Sequence, residues 1–281
     1  MPNRAWGEPA VEEDIKDETP KETVADSRDA VFVEQHGAVL SIVLNRPTKL
    51  NALTHDMILK VRDAMVMAQR EPGVRVIILR GEGRAFSVGD DLSDLSSAAA
   101  EPEKQSVLVD ILQDVTRQIM LGPKPVIAVV QGWAVGAAFS WVLNCDHAIY
   151  ARSTQSFFPE LKWGVSPTGA ATFLAPQMLG SAAARAAFQL LKRFSAEQLL
   201  ALGAVTQVVD DGAELAVAAN CARELATRSP EALVGVKRLT SRLLLERLDD
   251  ILSMEAQLAV AMSSREGVAG RIDSFYHPKK P

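Results

Sequence analysis

The stretch that decides the fold, residues 125–138, reads PVIAVVQGWAVGAA. Five apolar residues follow a proline, which predicts a buried strand at Val126–Val130. A turn containing Gly132 and Gly136 then leads into an amphipathic helix. The start of a helix leaves backbone N–H groups unpaired at the positive end of the helix dipole, which suits a developing negative charge. The stretch therefore predicts a strand–turn–helix unit that could stabilise an anion.

A second turn of this kind lies upstream, at residues 80–92, which read RGEGRAFSVGDDL. It follows an apolar segment at residues 74–79 that predicts another buried strand. Glycines in such turns allow the backbone to approach a ligand closely. Neither turn matches the fingerprint G-x-G-x-x-G followed by the expected acid, so they do not indicate a dinucleotide site.

Strands alternate with helices in the first half of the chain, and the second half is mostly helical. A hairpin is predicted around His36-Gly37, between strands at residues 31–34 and 38–44. Residues 195–198 form a capping-box pattern, and Gly203 is placed to end that helix. Further helices are predicted at residues 57–68, 102–120, 214–228, 230–245 and 249–262, and further strands at 148–151 and 205–209. This order predicts an α/β core followed by a helical region.

Composition limits the classes of protein to which the chain can belong. With 281 residues, 48% of them hydrophobic, it can bury a large core, and its two cysteines are too few for a disulfide framework. A net charge of −5 argues against a nucleic-acid binder. No apolar run reaches the roughly 18 residues of a membrane span, and the first residues lack a secretory signal. We expect a soluble, cytoplasmic protein with no nucleic-acid or membrane partner.

Four motifs, taken together and in order, resemble the crotonase (enoyl-CoA hydratase/isomerase) superfamily over about residues 31–280. They are LNRPTKLNAL at 44–53, AFSVGDDL at 85–92, PVIAVVQGWAVG at 125–136 leading to Asn144-Cys145-Asp146, and FPELKWG at 158–164. The resemblance implies a spiral of repeated ββα units followed by a C-terminal helical region. We expect a flexible acidic tail at 1–29, a crotonase core at 30–210, and helices at 211–281 that serve oligomerisation and part of the acyl-CoA site.

The resemblance also implies an oxyanion hole made by the backbone N–H groups of Asp90 and Ala137. A thioester oxygen gains negative charge when the neighbouring carbon loses a proton, and each preorganised amide aimed at that oxygen is worth on the order of 3 kcal/mol. Family members generally carry a small or apolar residue at the position of Asp90, whose carboxylate must point away from the oxyanion. Ala137 stands where a glycine is usual and donates the same N–H.

The acid/base residues decide the reaction. Hydratases of the family use two glutamates, and the matching positions here are Ser140 and Glu160. Isomerases keep only the later acid, so the resemblance favours double-bond isomerisation of an enoyl-CoA with Glu160 as the acid/base group. A hydratase or hydratase-lyase with Ser140 and Glu160 positioning water is the enzyme alternative, and an inactive crotonase-fold binding protein is the other. A nucleophilic Ser140 would need a nearby base, and His147 lies beyond the predicted helix.

The remaining candidate residues concern the substrate and the assembly. No metal or separate cofactor is expected, because coenzyme A is part of the substrate, and the family assembles as homotrimers or dimers of trimers. Cys145 and Asp146 are interpreted as structural residues. Each candidate lysine is as consistent with a solvated surface charge as with a contact to coenzyme A. The candidate acyl-CoA contacts are Lys49, Leu50, Ala52, Val88, Gly89, Asp91, Leu92, Trp133, Gly136, Trp163, Phe275 and Lys279 or Lys280.

Removal of residues 1–29 should leave the melting temperature and the turnover unchanged. The segment is acidic, carries three prolines and has no periodic apolar face, so it cannot offset its ordering entropy. Calorimetry and an activity assay of the truncated protein measure both quantities. A large loss of either would show that the segment docks on the core, with Trp6 as the residue to substitute next.

Overall fold

The structure, a computed structural model of the chain, describes residues 29–99, 101–241, 246–263 and 267–276. The predicted tail lies outside the described residues apart from Asp29, and so does Lys279. None of the helices in the described ranges has the length and apolar character needed to cross a bilayer.

Strands and helices alternate up to about residue 160, as the sequence predicts. The strands are β1 (Val31–His36), β2 (Val39–Leu44), β3 (Val76–Gly81), β4 (Val126–Val130), β5 (Trp133–Val135), β6 (His147–Ala151), β7 (Gln155–Phe157), β8 (Phe194–Ser195) and β9 (Gln207–Val209). The helices are α1 (His55–Arg70), α2 (Leu92–Ala99), α3 (Pro102–Leu121), α4 (Ala137–Asn144), α5 (Glu160–Trp163), α6 (Ala171–Leu179), α7 (Ser181–Gln189), α8 (Ala196–Leu202), α9 (Glu214–Ala226), α10 (Pro230–Thr240), α11 (Leu248–Ser263) and α12 (Val268–Tyr276), with a 3-10 helix at Pro47–Lys49.

A six-stranded sheet in the order β1-β2-β3-β4-β6-β9 forms the centre of the molecule. Strands β1 and β2 are the predicted antiparallel hairpin, and every later pair in this sheet is parallel. Alternate residues of β3 face opposite layers: Ile77 and Leu79 join the main core, whereas Val76 and Ile78 pack towards α9. Helices therefore cover both faces of the sheet, which explains why its central strands are apolar along their length.

A second, smaller set of strands runs beside the sheet and completes the spiral. Strand β7 pairs with β5 on one side and with β8 on the other, and two isolated parallel bridges, Leu53 with Asp90 and Ser87 with Ala134, extend the same layer. Strands β3, β4 and β6 of the large sheet are thus each followed by a short extended piece of the small layer, namely the bridge residues Ser87 and Asp90, strand β5 and strand β7. This repetition is the spiral of ββα units predicted from the resemblance.

The predicted boundaries are accurate where a cap or a proline marks them. Strand β4 has the predicted bounds after Pro125, and Ser195 and Gln198 form both hydrogen bonds of the capping box, with Gly203 ending the helix in a left-handed conformation. The strand predicted at residues 74–79 lies two residues later, at Val76–Gly81. Helices α2 and α5 and strands β5 and β7 were not predicted, because each has eight residues or fewer and too short a periodic pattern.

The C-terminal helices pack back onto the preceding units. Helix α9 lies on β3, β4 and β6, and α11 packs against α3. Helix α12 contacts α2 and α5, and together they bury a small apolar cluster that includes Trp163, Val268 and Ile272. The last described helix is therefore tied to the elements that carry the candidate acid, Glu160.

A partly buried ion pair fixes α10 to the core. The Lys237 ammonium donates to Asp146 Oδ2 at 2.7 Å and to the carbonyl of Ile119 at 2.7 Å. Asp146 also accepts from the Val126 amide at 2.8 Å, at the start of β4. The Cys145 thiol donates to the carbonyl of Trp141 within the preceding helix. Both Cys145 and Asp146 thus have the structural contacts expected of them.

Lys237→Met should lower the free energy of unfolding by about 1–3 kcal/mol, because it leaves the partly buried Asp146 carboxylate and the Ile119 carbonyl without this donor. The exposed neighbour Arg238 provides the control, and Arg238→Met should change the value by no more than about 0.5 kcal/mol. Urea unfolding of both variants measures the difference. Equal stability of the two variants would contradict a structural role for the pair.

Candidate active site

The turn at residues 81–90 is held in shape by one buried side chain, Asn51. Its amide nitrogen donates to the carbonyls of Ala85 at 2.8 Å, Glu82 at 2.9 Å and Phe86 at 3.1 Å. Its amide oxygen accepts from the Arg46 N–H at 2.8 Å. The side chain of Asn51 thus satisfies backbone groups that the turn would otherwise bury without partners. Sequence reasoning missed this residue, although it lies inside the LNRPTKLNAL motif.

The bridge to Leu53 leaves the amide of Asp90 unused. Leu53 donates to the Gly89 carbonyl at 2.8 Å and accepts from the Asp91 amide at 2.9 Å. In a parallel bridge these two bonds engage the neighbours of Asp90, and the N–H of Asp90 itself points to the opposite side. Within the described residues it donates to no backbone acceptor.

The second turn presents another unpaired amide. Gly136 has a positive φ of 57°, and its amide donates to the Phe157 carbonyl at 3.0 Å. Helix α4 begins at the next residue, Ala137. The first backbone bond of this helix is made by Ser140, which donates to Gly136 at 2.9 Å. Ala137 is the first residue of the helix, and its N–H has no helical acceptor.

The two turns touch each other at Gly89. A Cβ placed on this glycine would lie 2.6 Å from the Val135 carbonyl oxygen and 3.7 Å from the Ala137 nitrogen. Gly89 also has a φ of 81°, which L-residues with a side chain rarely adopt. Only glycine permits this contact, which brings Asp90 and Ala137 to adjoining positions.

Glu160 lies against the same contact, as the first residue of α5. Its side chain is buried, and a Cβ on Gly136 would lie 3.0 Å from its Oε1. The other oxygen, Oε2, is enclosed and has no hydrogen-bond partner among the described residues. A carboxyl oxygen that is buried and unpaired is free to bond a ligand.

Burial changes the acidity of the two carboxyls at this contact. It raises the pKa of Glu160 to about 8, and the negative charges of Asp90 and Glu255 add to the effect. It raises the pKa of Asp90 to about 6, with a further contribution from Asp91. Both carboxyls therefore hold protons more strongly than ordinary acids, and their pKa values lie near working pH.

Ser140 lies one helical turn beyond Ala137. Its hydroxyl donates weakly to the Gly136 carbonyl, at 3.4 Å, and it is buried. A Cβ on Gly169 would lie 3.3 Å from the Ser140 Cβ, so the segment before α6 covers the serine. His147, by contrast, faces the Thr206 hydroxyl at 3.5 Å, at the start of β6.

Sequence reasoning also missed Glu255, a buried acid on α11. Its carboxylate accepts from the Ala170 amide at 2.8 Å and from the amide and hydroxyl of Thr172, at 3.0 and 2.5 Å. It thereby caps the first turn of α6, while its charge acts on Glu160. The sequence signal for it was its helical spacing: Glu255 lies three residues after Leu252 and four before Ala259, on the buried face of the same helix.

The motif at residues 44–53 is locked to the first turn by an ion pair. The Arg46 guanidinium donates to the Ala52 carbonyl at 2.8 Å and to Asp91 Oδ2 at 3.0 Å. Hydrogen bonds from Ser93 and Arg46 outweigh burial and hold the pKa of Asp91 below its ordinary value. Lys49 is exposed on the 3-10 helix beside this loop.

The other predicted substrate contacts are distributed around this centre. Leu50 is buried, and its carbonyl accepts from the Val88 amide at 3.1 Å. Leu92 packs beside the cluster that contains Trp163, at the end of α5. The Trp133 ring meets Phe157 edge-on at 6.2 Å and lies 5.4 Å from the Arg193 guanidinium. Phe275 belongs to α12.

Comparison with known proteins matches this arrangement to one family. The sequence model described as Enoyl-CoA hydratase/isomerase matches residues 34–281. The 1,2-epoxyphenylacetyl-CoA isomerase of Escherichia coli (strain K12) is 32% identical over 219 residues, which are 77% of this chain and 84% of that protein. The 2,3-dehydroadipyl-CoA hydratase of the same organism is 26% identical over 89% of this chain and 97% of its own length.

Solved structures share the fold over their whole length. The structure of Pseudomonas aeruginosa OdaA aligns with a TM-score of 0.82 and 28% identity, covering 89% of this chain and 100% of that one. An enoyl-CoA hydratase from Mycobacterium avium subsp. paratuberculosis K-10 aligns with a TM-score of 0.80 and 28% identity, covering 88% and 98%. The chain belongs to the enoyl-CoA hydratase/isomerase family, the crotonase superfamily, and is an enzyme of that family.

Gly89→Ala should destabilise the protein by about 1–3 kcal/mol more than Gly212→Ala. Both glycines have a positive φ, 81° and 86°, so both substitutions carry similar backbone strain. A Cβ at Gly89 would meet the Val135 oxygen at 2.6 Å, whereas one at Gly212 has nothing within 4 Å. Melting temperatures of the two variants measure the difference. Equal losses would show that the two turns are not in contact.

Proposed function

We propose that this enzyme binds an acyl-CoA thioester and moves the double bond of an enoyl-CoA, with Glu160 as the acid/base group. The amides of Asp90 and Ala137 would donate to the thioester oxygen as it gains negative charge. The observation that carries the proposal is the enclosed Oε2 of Glu160, which has no hydrogen-bond partner among the described residues and lies beside the contact of the two turns.

Double-bond migration requires a proton to leave one carbon and another to arrive at a second carbon. One carboxyl that faces the acyl chain can perform both transfers, provided that the intermediate enolate is stabilised meanwhile. Ser140 occupies the other acid position of the family and cannot act as a carboxylate base. This combination of one acid and one serine favours isomerisation over hydration.

The pKa of Glu160 fits a group that both accepts and donates protons. With a pKa of about 8, roughly one tenth of the side chains are ionised at neutral pH, and the remainder are acids. A value near working pH gives both forms a usable population, which is the condition for efficient proton transfer.

Hydration by Ser140 and Glu160 is the second candidate function. Both residues adjoin Gly136, since the Ser140 hydroxyl donates to its carbonyl and a Cβ placed on it would lie 3.0 Å from Glu160 Oε1. A water held between them would have a hydroxyl and a carboxyl as partners. Because the 2,3-dehydroadipyl-CoA hydratase is among the similar proteins, the hydration hypothesis requires a direct test.

The same proposal assigns the acyl-CoA contacts to the elements around the two turns. Lys49 would approach the phosphates of the nucleotide end, and the loop carrying Leu50 and Ala52 would hold the adenine side through its backbone. Gly89 and Gly136 would let the thioester approach both amides. Assembly as a homotrimer or a dimer of trimers, in the cytoplasm, belongs to this proposal.

Glu160→Gln should lower turnover of a 3-enoyl-CoA by about two to four orders of magnitude, because the amide keeps the shape but cannot accept a proton. Binding of the thioester should change little, since both amides remain. Initial rates and calorimetric titration measure the two quantities. Glu224→Gln, whose side chain is 70% exposed, is the matched control and should turn over normally. Wild-type turnover in Glu160→Gln would refute the assignment.

Ser140→Ala separates the two candidate reactions. In the isomerase reading its effect on turnover should be less than about tenfold, because no water needs to be positioned. In the hydratase reading the loss should exceed about 100-fold, because positioning of the water contributes part of the rate. Rates of hydration and of double-bond migration, both measured on the same preparation, distinguish the outcomes.

A further inference from the structure

The side chain of Asp90 has no role in the proposed function, which uses only its amide. Its Oδ1 is enclosed and has no hydrogen-bond partner within the described residues. The adjacent Asp91, by contrast, bonds Arg46 and Ser93. A carboxyl oxygen that is enclosed without a partner costs free energy, so its presence at the contact of the two turns requires a reason.

The backbone contact of the two turns brings Asp90 close to Glu160. Asp90 follows Gly89, which packs on the Val135 carbonyl and near the Ala137 amide. Gly136 lies between Val135 and Ala137, and a Cβ placed on it would lie 3.0 Å from Glu160 Oε1. The two carboxyls thus belong to one small region, and each has one enclosed oxygen without a partner.

The charged groups that act on these carboxyls are all acids, as far as the described residues are concerned. Asp91 acts on Asp90 from the following position of the same turn. Glu255 acts on Glu160 from α11, and Asp90 acts on it from the first turn. With no cation among these groups to balance them, two ionised carboxylates would repel each other, so one of the two carboxyls keeps its proton.

We infer that Asp90 and Glu160 act as a pair of neighbouring carboxyls of which one keeps its proton, and that Asp90 is a second catalytic acid/base of the reaction. The inference deepens the proposed function and rests on it. Asp90 would supply the second acid that the serine at position 140 does not provide.

The proton transfers balance within the pair. The ionised carboxylate of Asp90 takes the proton from the carbon next to the thioester, and the electron pair of that C–H bond passes into the enolate. The protonated Glu160 then gives its proton to the γ-carbon as the double bond moves into conjugation. A proton passes from Asp90 to Glu160, which restores the starting state with no other reactant.

This distribution of roles resolves the repulsion expected from an aspartate beside an oxyanion. Asp90 is ionised only before the enolate forms, and it becomes neutral as the negative charge moves to the thioester oxygen. With pKa values of about 6 for Asp90 and about 8 for Glu160, the two carboxyls together retain one proton near neutral pH, and the proposed reaction starts from the form in which Asp90 is ionised.

Asp90→Asn keeps the backbone N–H and the shape of the side chain but cannot take a proton. We expect kcat for a 3-enoyl-CoA to fall by about 100-fold or more, while affinity for a saturated acyl-CoA stays equal or improves. Asp63→Asn, at a side chain 63% exposed, is the matched control. A variant within threefold of wild type in kcat would overturn the inference.

The pH dependence provides a readout that a structural role would not change. For the pair, kcat/KM of the wild type should rise through about 6 and fall through about 8. In Asp90→Asn the decrease of kcat/KM at high pH should vanish. The residual rate should instead rise as Glu160 ionises, and the pKa of Glu160 should be lower than in the wild type because the Asp90 charge no longer raises it. A wild-type profile that only rises, through about 8, would identify Glu160 as the sole base and overturn the inference.

A titration independent of activity separates failure of the pair from failure of the isomerase proposal. An acid whose pKa is raised by folding makes the folded state less stable as pH rises from the unfolded-state pKa, about 4, to the raised value. At pH 9 that loss is complete, so Asp90→Asn and Glu160→Gln should each raise the melting temperature. If the carboxyls repel each other, the double variant should gain less than the sum of the two. Additive gains would overturn the pair, even in a protein that isomerises 3-enoyl-CoA.

Discussion

The contact of Gly89 with the backbone of Val135 and Ala137 is the constraint on which the site depends. It joins a turn that follows β3 to a turn that follows β4, and it leaves no room for a side chain. Asn51 holds the first turn in shape from within, and the helix start at Ala137 defines the second. Two unpaired amides reach adjoining positions because the spiral repeats the same strand–turn geometry one step further along the sheet.

Burial of acids around this contact is the second feature of the site. Asp90, Glu160 and Glu255 are close enough for their charges to interact, and only Glu255 is satisfied by hydrogen bonds, at the start of α6. Unpaired buried carboxyls destabilise a fold, and they are tolerated here because the covered sheet and the helices α3, α9 and α11 supply a large apolar core. The core thus supplies stability, and the proposed chemistry uses the few polar groups that it leaves without partners.

Much of this arrangement could be predicted from the sequence because local signals determine it. Strand β4, the capping box at Ser195 and the hairpin of β1 and β2 follow directly from proline, serine and apolar periodicity. The contacts of the Asn51 and Glu255 side chains could not be predicted, since the turn carbonyls that Asn51 binds lie 31 to 35 residues away and the partners of Glu255 lie 83 to 85 residues away. Helix α2 and the short strand β7 were not predicted, because too few residues show their periodic pattern. The motif order identified the family, whereas the proximity of Asp90 and Glu160 required the folded chain.

The central claim concerns the fate of the acyl double bond, and product analysis tests it most directly. The purified protein would be incubated separately with a 3-enoyl-CoA and a 2-enoyl-CoA, and the products identified by nuclear magnetic resonance. We predict conversion of the 3-enoyl-CoA to its conjugated 2-enoyl isomer, with no 3-hydroxyacyl-CoA formed from either substrate. Formation of the 3-hydroxyacyl-CoA without double-bond migration would contradict the account.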